Sequence, residues 1–127
     1  MQYCPAAAFV AQLADMTVID QIMPKSTCSN SLVVALVYDG LCTFEFACSA
    51  EVFGLARPEL EPGWYRFETC AAERRPVRSQ YGMRLSADAG LDRLVQAGTV
   101  IIAVLRGIDE PVPARVVDAL REAHRLC

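Results

Sequence analysis

Residues 32–54 read LVVALVYDGLCTFEFACSAEVFG, and the order of residue types in this stretch decides the fold class. Leu32–Tyr38 is a continuous apolar run closed by a tyrosine. A strand wet on one side alternates apolar and polar residues. An unbroken run fits a strand covered on both faces, as in a parallel sheet. Asp39-Gly40 then signals a tight turn. The next segment reads as a short helix with Glu45 in its first turn and Gly54 closing it. Ligands of open α/β sheets bind outside the carboxyl ends of the strands, where Glu45 would fall.

Working outward, Arg57–Trp64 carries Pro58, Pro62 and Gly63 and reads as a loop. Tyr65–Ala71 alternates like a strand, with Tyr65, Phe67 and Thr69 on one face. Glu73–Pro76 is a charged turn, and Val77–Leu85 an irregular β segment bent at Gly82. Leu91–Gln96 predicts a short helix with Asp88 as its N-cap. Thr99–Leu105, TVIIAVL, is a second fully apolar strand. A helix is expected from about Val112 to Arg125, favoured by Asp109 and Glu110 before it and Pro113 in its first turn. Val116, Val117, Leu120, Ala123 and Cys127 recur at helical spacing and mark its buried face. The order β-α-β-(β)-α-β-α predicts a three-layer α/β sandwich with a mostly parallel sheet and right-handed crossovers. Residues 1–31 stand apart from this domain, 32–127. A weakly amphipathic helix over about Ala6–Met23 and a polar break at Pro24–Asn30 describe an extension, read either as a docking helix or, in preference, as a loose, disordered segment.

Composition narrows the classes. The chain has 127 residues, 54% hydrophobic and 21% charged, as expected of one globular domain. No apolar run reaches the about 20 residues of a membrane span. AAAFVAQLA near the start lacks a basic flank and a cleavage site, so a secretory leader is not expected. The expected location is cytoplasmic. A net charge of −3 argues against an electrostatic nucleic-acid surface. The six cysteines stand at 4, 28, 42, 48, 70 and 127 with one histidine, His124. No CxxC pair or ligand cluster suggests a metal, and none suggests a cofactor. Reduced cysteines acting as small hydrophobes are expected, with Cys48 and Cys70 in the core. Cys42, in the turn, would be reactive only if a helix dipole lowered its pKa. His124, near a helix C-terminus, suits the dipole. Trp64 and Tyr65 are expected to anchor their loop to the core.

With these residues placed, YDGLCTFEFACSAEVFG resembles the opening of the sensory domain in GlxA/FtrA-type AraC-family transcriptional regulators. That domain belongs to the PfpI, or class I glutamine amidotransferase-like, superfamily. The matching features are Asp39-Gly40, the helix acid Glu45 and Glu51-Val52-Phe53. WYRFETCAAE at 64–73, SADAGLDRLVQAGTVII at 86–102 and RGIDEPVPARVVDALREAH at 106–124 resemble the elements that follow. The resemblance runs from Leu32 to the end and implies a flavodoxin-like fold. Enzymes of the superfamily carry a nucleophilic cysteine on an elbow after the next strand, with an acid beside it at the position of Glu45.

Three departures matter. The sequence ends at Cys127, before that elbow, so the expected domain is incomplete at its C-terminal end. Gly98 stands where the family has Asp, and Ala103-Val104 where it has Pro-Gly. Branched Val104 cannot copy a glycine conformation cheaply. The DNA-binding region of the AraC class is also absent from this sequence. The resemblance therefore implies a non-catalytic sensory or regulatory domain, or a fragment of one. Its expected partners are a small-molecule effector and a second copy of itself. Direct contact with nucleic acid or a membrane is not expected. Asp39, Gly40, Glu45 and Arg106 are the candidate ligand-binding residues, and no catalytic residue is assigned. Without a thiol partner, Glu45 is better explained as a helix N-terminal acid worth about 0.3–1 kcal/mol. The alternative function is a small cysteine-dependent hydrolase or amidase of the same superfamily.

Overall fold

The computed structural model describes residues 30–60, 64–103 and 111–126. Strand β1 (Leu32–Val37) is buried along its whole length. It lies at the centre of a parallel sheet of order β2-β1-β5. Strand β2 (Arg66–Ala71) pairs with it in the register Leu32↔Arg66 to Val37↔Ala71. Strand β5 (Thr99–Ile102) pairs on the other side, Val33↔Thr99 to Leu36↔Ile102. The three-layer expectation holds because β1 buries residues toward both faces. Leu32, Val34 and Leu36 pack with Cys70, Leu94, Val116 and Ala123. At the carboxyl end, Val37 packs with Leu41, Ala71 and Val77, with Phe46 against them. Each buried Val or Leu contributes about 1.5–3 kcal/mol relative to exposure, so this one strand is the main organiser of the core.

Helix α1 (Thr43–Ser49) follows the turn. It does not run to Gly54 as one α-helix: Ala50–Gly54 continues as a π turn. Gly54 suits that end because a Cβ there would stand 3.1 Å from the Phe67 ring. The β segment at 77–85 is a hairpin, β3 (Val77–Arg78) against β4 (Arg84–Leu85), with Gly82 at φ 84° in its loop. A left-handed φ of this kind costs glycine nothing and other residues about 1 kcal/mol or more. The predicted helix Leu91–Gln96 is present as a 3-10 helix. Helix α2 (Ala114–Leu126) begins two residues later than expected and packs chiefly on that 3-10 helix. Of its predicted apolar face, Val116 and Ala123 are buried and Leu120 is partly buried against the same core. Residues 1–29, Asp109, Glu110 and Cys127 lie outside the described residues.

Three expectations are corrected. Asp88 does not cap the 3-10 helix; Gly90 occupies the N-cap, with no side-chain cap bond. Asp88 Oδ2 instead accepts hydrogen bonds from the Thr69 backbone N–H (2.8 Å) and hydroxyl (2.7 Å). The Asp88 and Ala89 N–H groups both donate to the Thr69 carbonyl. The carboxylate was thus recruited by the edge of β2, a partner nineteen residues upstream that local pattern cannot reveal. Second, Cys48 is exposed, because α1 turns Phe46 and Ser49 inward and leaves Phe44, Ala47 and Cys48 outside. Third, β5 is not a fully buried strand. It is bonded on one side only among the described residues, its burial is partial, and Ile102 is 41% exposed.

Candidate functional site

The turn after β1 is built around the Asp39 carboxylate. Oδ1 accepts from the Arg78 backbone N–H at 2.8 Å and from Arg75 Nη1 at 3.3 Å, and Oδ2 pairs with Arg75 Nη2. The Arg75 side chain is 59% exposed and that of Asp39 27%, so solvent weakens this ion pair and geometry is its main product. Gly40, at φ 84°, donates its N–H to the Arg78 carbonyl (2.6 Å), and Gln80 donates to the Leu41 carbonyl. A bridge joins Leu41 and Ser79. Together these bonds fasten the β3–β4 hairpin to the carboxyl end of β1.

A cavity of about 240 Å³ opens beside this turn, bounded by Leu36–Asp39, Ala72, Glu73, Arg75, Pro111–Pro113 and Val116. Its position, at the carboxyl ends of β1 and β2, is where α/β sheets receive ligands. The volume corresponds to about eight water molecules. Leu36, Val37, Val112 and Val116 make the apolar part, while Asp39, Glu73 and Arg75 bring charge. These charges are already committed: Arg75 to Asp39, and Glu73 Oε1 to Arg115 Nη2 at 2.5 Å. The Tyr38 hydroxyl donates to the Ala103 carbonyl at 2.7 Å, tying the ends of β1 and β5 together. A second, almost wholly apolar groove of about 360 Å³ runs from Leu36 and Ile102 along Val112, Val116, Val117 and Leu120 to His124.

Of the sequence candidates, the cavity wall includes Asp39. Gly40 shapes the adjoining turn, and Glu45 sits half-buried in the first turn of α1. Neither lines the cavity. Arg106 lies outside the described residues. Sequence reasoning missed Tyr38, Glu73, Arg75, Val112 and Val116. Arg75 and Glu73 were legible only as a charged turn, because their placement depends on pairings with residues 36 and 42 positions away along the chain.

The thiols differ sharply. Cys42 is half-buried at the N-cap of α1, and Cys48 is exposed. Cys70 is fully buried, and its pKa is pushed up to about 12, first by burial and then by the Asp92 charge. A thiol so placed stays protonated and is a poor nucleophile. Trp64 is half-buried, with the Arg57 guanidinium 5.7 Å from its ring centroid and the Tyr65 ring 5.3 Å away, edge-on. These ring contacts are with its own loop and with Tyr65, which is exposed and precedes β2; neither ring belongs to the core clusters, so the expected anchoring of the loop to the core is not seen. His124 is exposed in the last turn of α2. Among the described residues no group of three or more His, Cys, Asp or Glu could hold a metal ion. No helix among them is long and apolar enough to cross a membrane.

No protein-family model matches the sequence, and no curated protein matches it. The structure is similar to that of a DJ-1 superfamily protein from Agrobacterium tumefaciens, with a TM-score of 0.55 and 13% identity. The match covers 74% of this chain and 48% of that one, so the chain spans about half the length of its structural relative. At this identity the likeness concerns the fold: a DJ-1-like, flavodoxin-like α/β arrangement with a parallel sheet.

Proposed function

We propose that this chain is a non-catalytic sensory or regulatory domain, or part of one, of the kind carried by AraC-family transcriptional regulators. It binds a small molecule in the cavity at the carboxyl ends of β1 and β2. The observation that carries this reading is the state of the polar groups around the cavity. Asp39, Arg75 and Glu73 are paired with one another or with Arg115, and Cys70, the one fully buried thiol among the described residues, is held protonated. Groups so occupied select and orient a ligand; an activated nucleophile needs a base within hydrogen-bond reach. The mixed lining suits a small molecule with an apolar body and one polar end. Association with a second copy belongs to the same reading, supported by the one-sided pairing of β5 among the described residues and by the exposure of Ile102. Reading DNA is left to other parts of such regulators.

The test is a thermal-shift screen of the chain against small carboxylates, amines and amino acids, repeated on Val112→Phe, which fills the cavity. A ligand that raises Tm in the parent and not in Val112→Phe is the expected result. Hydrolysis of amides or esters above a Glu45→Ala control, abolished by thiol alkylation, would overturn the reading in favour of a cysteine-dependent enzyme.

A further inference from the structure

The hairpin presents an unbalanced charge. Residues 74–84, RRPVRSQYGMR, hold four arginines and no acid, in a chain whose net charge is −3. Arg75 is neutralised by Asp39. Arg74, Arg78 and Arg84 are exposed, and their side chains make no hydrogen bond or ion pair among the described residues. Arg78 and Arg84 are moreover direct cross-strand partners. Their ladder neighbours Val77 and Leu85 point into the core, which sends both guanidinium groups to the same outer face. Like charges directly opposite one another destabilise an antiparallel pair. A two-residue ladder gains nothing from this arrangement. Between the two arginines the loop displays Tyr81, 85% exposed, and Met83, 47% exposed.

From this juxtaposition we propose that the outer face of the β3–β4 hairpin, Arg78 and Arg84 with Tyr81 and Met83, is a docking surface for an acidic segment of a partner protein. Carboxylates between the two guanidinium groups relieve their repulsion through charge-assisted, forked hydrogen bonds. Tyr, Met and Arg are the side chains enriched in protein interfaces, where aromatic and apolar area supplies contact beside the charge. A nucleic acid is disfavoured because two arginines on so short a ribbon match one or two carboxylates rather than a run of phosphates. The surface is stiff as well as charged. The bonds from Asp39 and Gly40 to Arg78, and from Gln80 to Leu41, hold it against the cavity turn, so a docked segment meets a preorganised face.

The test uses the full chain and a short fluorescein-labelled peptide of alternating glutamate and leucine, followed by anisotropy at low salt. The controls are the same peptide with glutamine for glutamate, a single-stranded oligodeoxynucleotide, and vesicles containing phosphatidylserine. The glutamate peptide is expected to bind best, and Arg78→Ala/Arg84→Ala to weaken it about tenfold or more. Arg84→Glu supplies a second readout that lost folding cannot imitate. It sets a carboxylate across from Arg78, so it should abolish peptide binding while slowing hydrogen exchange in the hairpin. Equal binding of the glutamine peptide, tighter binding of the oligonucleotide or vesicles, or unchanged affinity in the double variant would each overturn the proposal. So would faster hairpin exchange in Arg84→Glu. None of these outcomes bears on the cavity, which the Val112→Phe screen tests separately.

Discussion

Replacing Asp88 by alanine should damage the sheet edge and leave the 3-10 helix intact. The Asp88 carboxylate accepts two hydrogen bonds, from the backbone N–H and the hydroxyl of Thr69. Thr69 is 6% exposed while Asp88 itself is exposed, so both donors lose their partner at the boundary of the core, where water replaces it only in part. A hydrogen bond to a charged group contributes about 1.5–3 kcal/mol. Because the two bonds share one oxygen, a combined loss of about 2–4 kcal/mol is reasonable. At about 4 °C per kcal/mol, that lowers Tm by about 8–16 °C. Asp88→Asn can still present a neutral oxygen to both donors and should cost about half as much. Thr69→Val in a double-mutant cycle with Asp88→Ala should show coupling of about 1 kcal/mol or more. The assay is urea unfolding of the four proteins, with hydrogen exchange by mass spectrometry. Faster exchange is expected at Thr69–Ala71. Were Asp88 a helix cap, the loss would be nearer about 1 kcal/mol, coupling to Thr69 would vanish, and the faster amides would be those of Leu91–Arg93. That pattern would refute the reasoning.

Three further outcomes are expected. A Cβ on Gly98 would lie 1.9 Å from the Asn30 carbonyl oxygen, and the Gly98 N–H already donates to the Leu32 carbonyl. Gly98→Ala, and more so Gly98→Asp, should therefore cost about 1–3 kcal/mol in chemical unfolding, and a neutral effect would show that Asn30 is not so placed. Arg93 donates to both Glu68 carboxylate oxygens, at 2.6 and 2.7 Å, and that pairing holds the Glu68 pKa below its ordinary 4.5. Its contribution to stability is whole above pH 4.5 and lost as the pH falls through the lowered value, so the urea midpoint of Glu68→Gln should change less between pH 7 and pH 3 (both chosen to bracket about 4.5) than that of the parent. Native iodoacetamide labelling near neutral pH should modify exposed Cys48 quickly and Cys70 only after unfolding; early labelling of Cys70 would contradict its burial and its protonated thiol.

The parts of the fold legible in sequence were those fixed by burial on one element. The unbroken run Leu32–Val37 announced a strand covered on both faces, and the Asp39-Gly40 turn followed from local chemistry. What was not legible depended on partners far along the chain. TVII looks as buried as LVVALV, yet β5 is bonded on one side only among the described residues, and apolar content alone cannot separate edge from centre. Asp88 matched the pattern of a cap, but Thr69 offered two donors where the helix offered one bond. Cys48 was misplaced because the inward face of α1 is set by Phe46 and Ser49, and a seven-residue helix gives too little periodicity to choose its face. At the candidate site the sequence pointed to the carboxyl end of β1, where the cavity opens, and to Asp39, which lines it. Glu73 and Arg75 reach the same cavity from one turn and Val116 from the last helix, and no local signal joins them to Asp39.

The central claim is that the cavity at the carboxyl ends of β1 and β2 binds a small molecule without transforming it. The most direct measurement is a backbone amide NMR titration of the nitrogen-labelled chain with each ligand found by thermal shift, following the ligand's own resonances in the same tube. The account predicts saturable shifts grouped at Tyr38, Asp39, Ala72, Glu73, Arg75, Val112 and Val116, with the ligand recovered unchanged. Shifts confined to other surfaces, or steady conversion of the ligand, would contradict it.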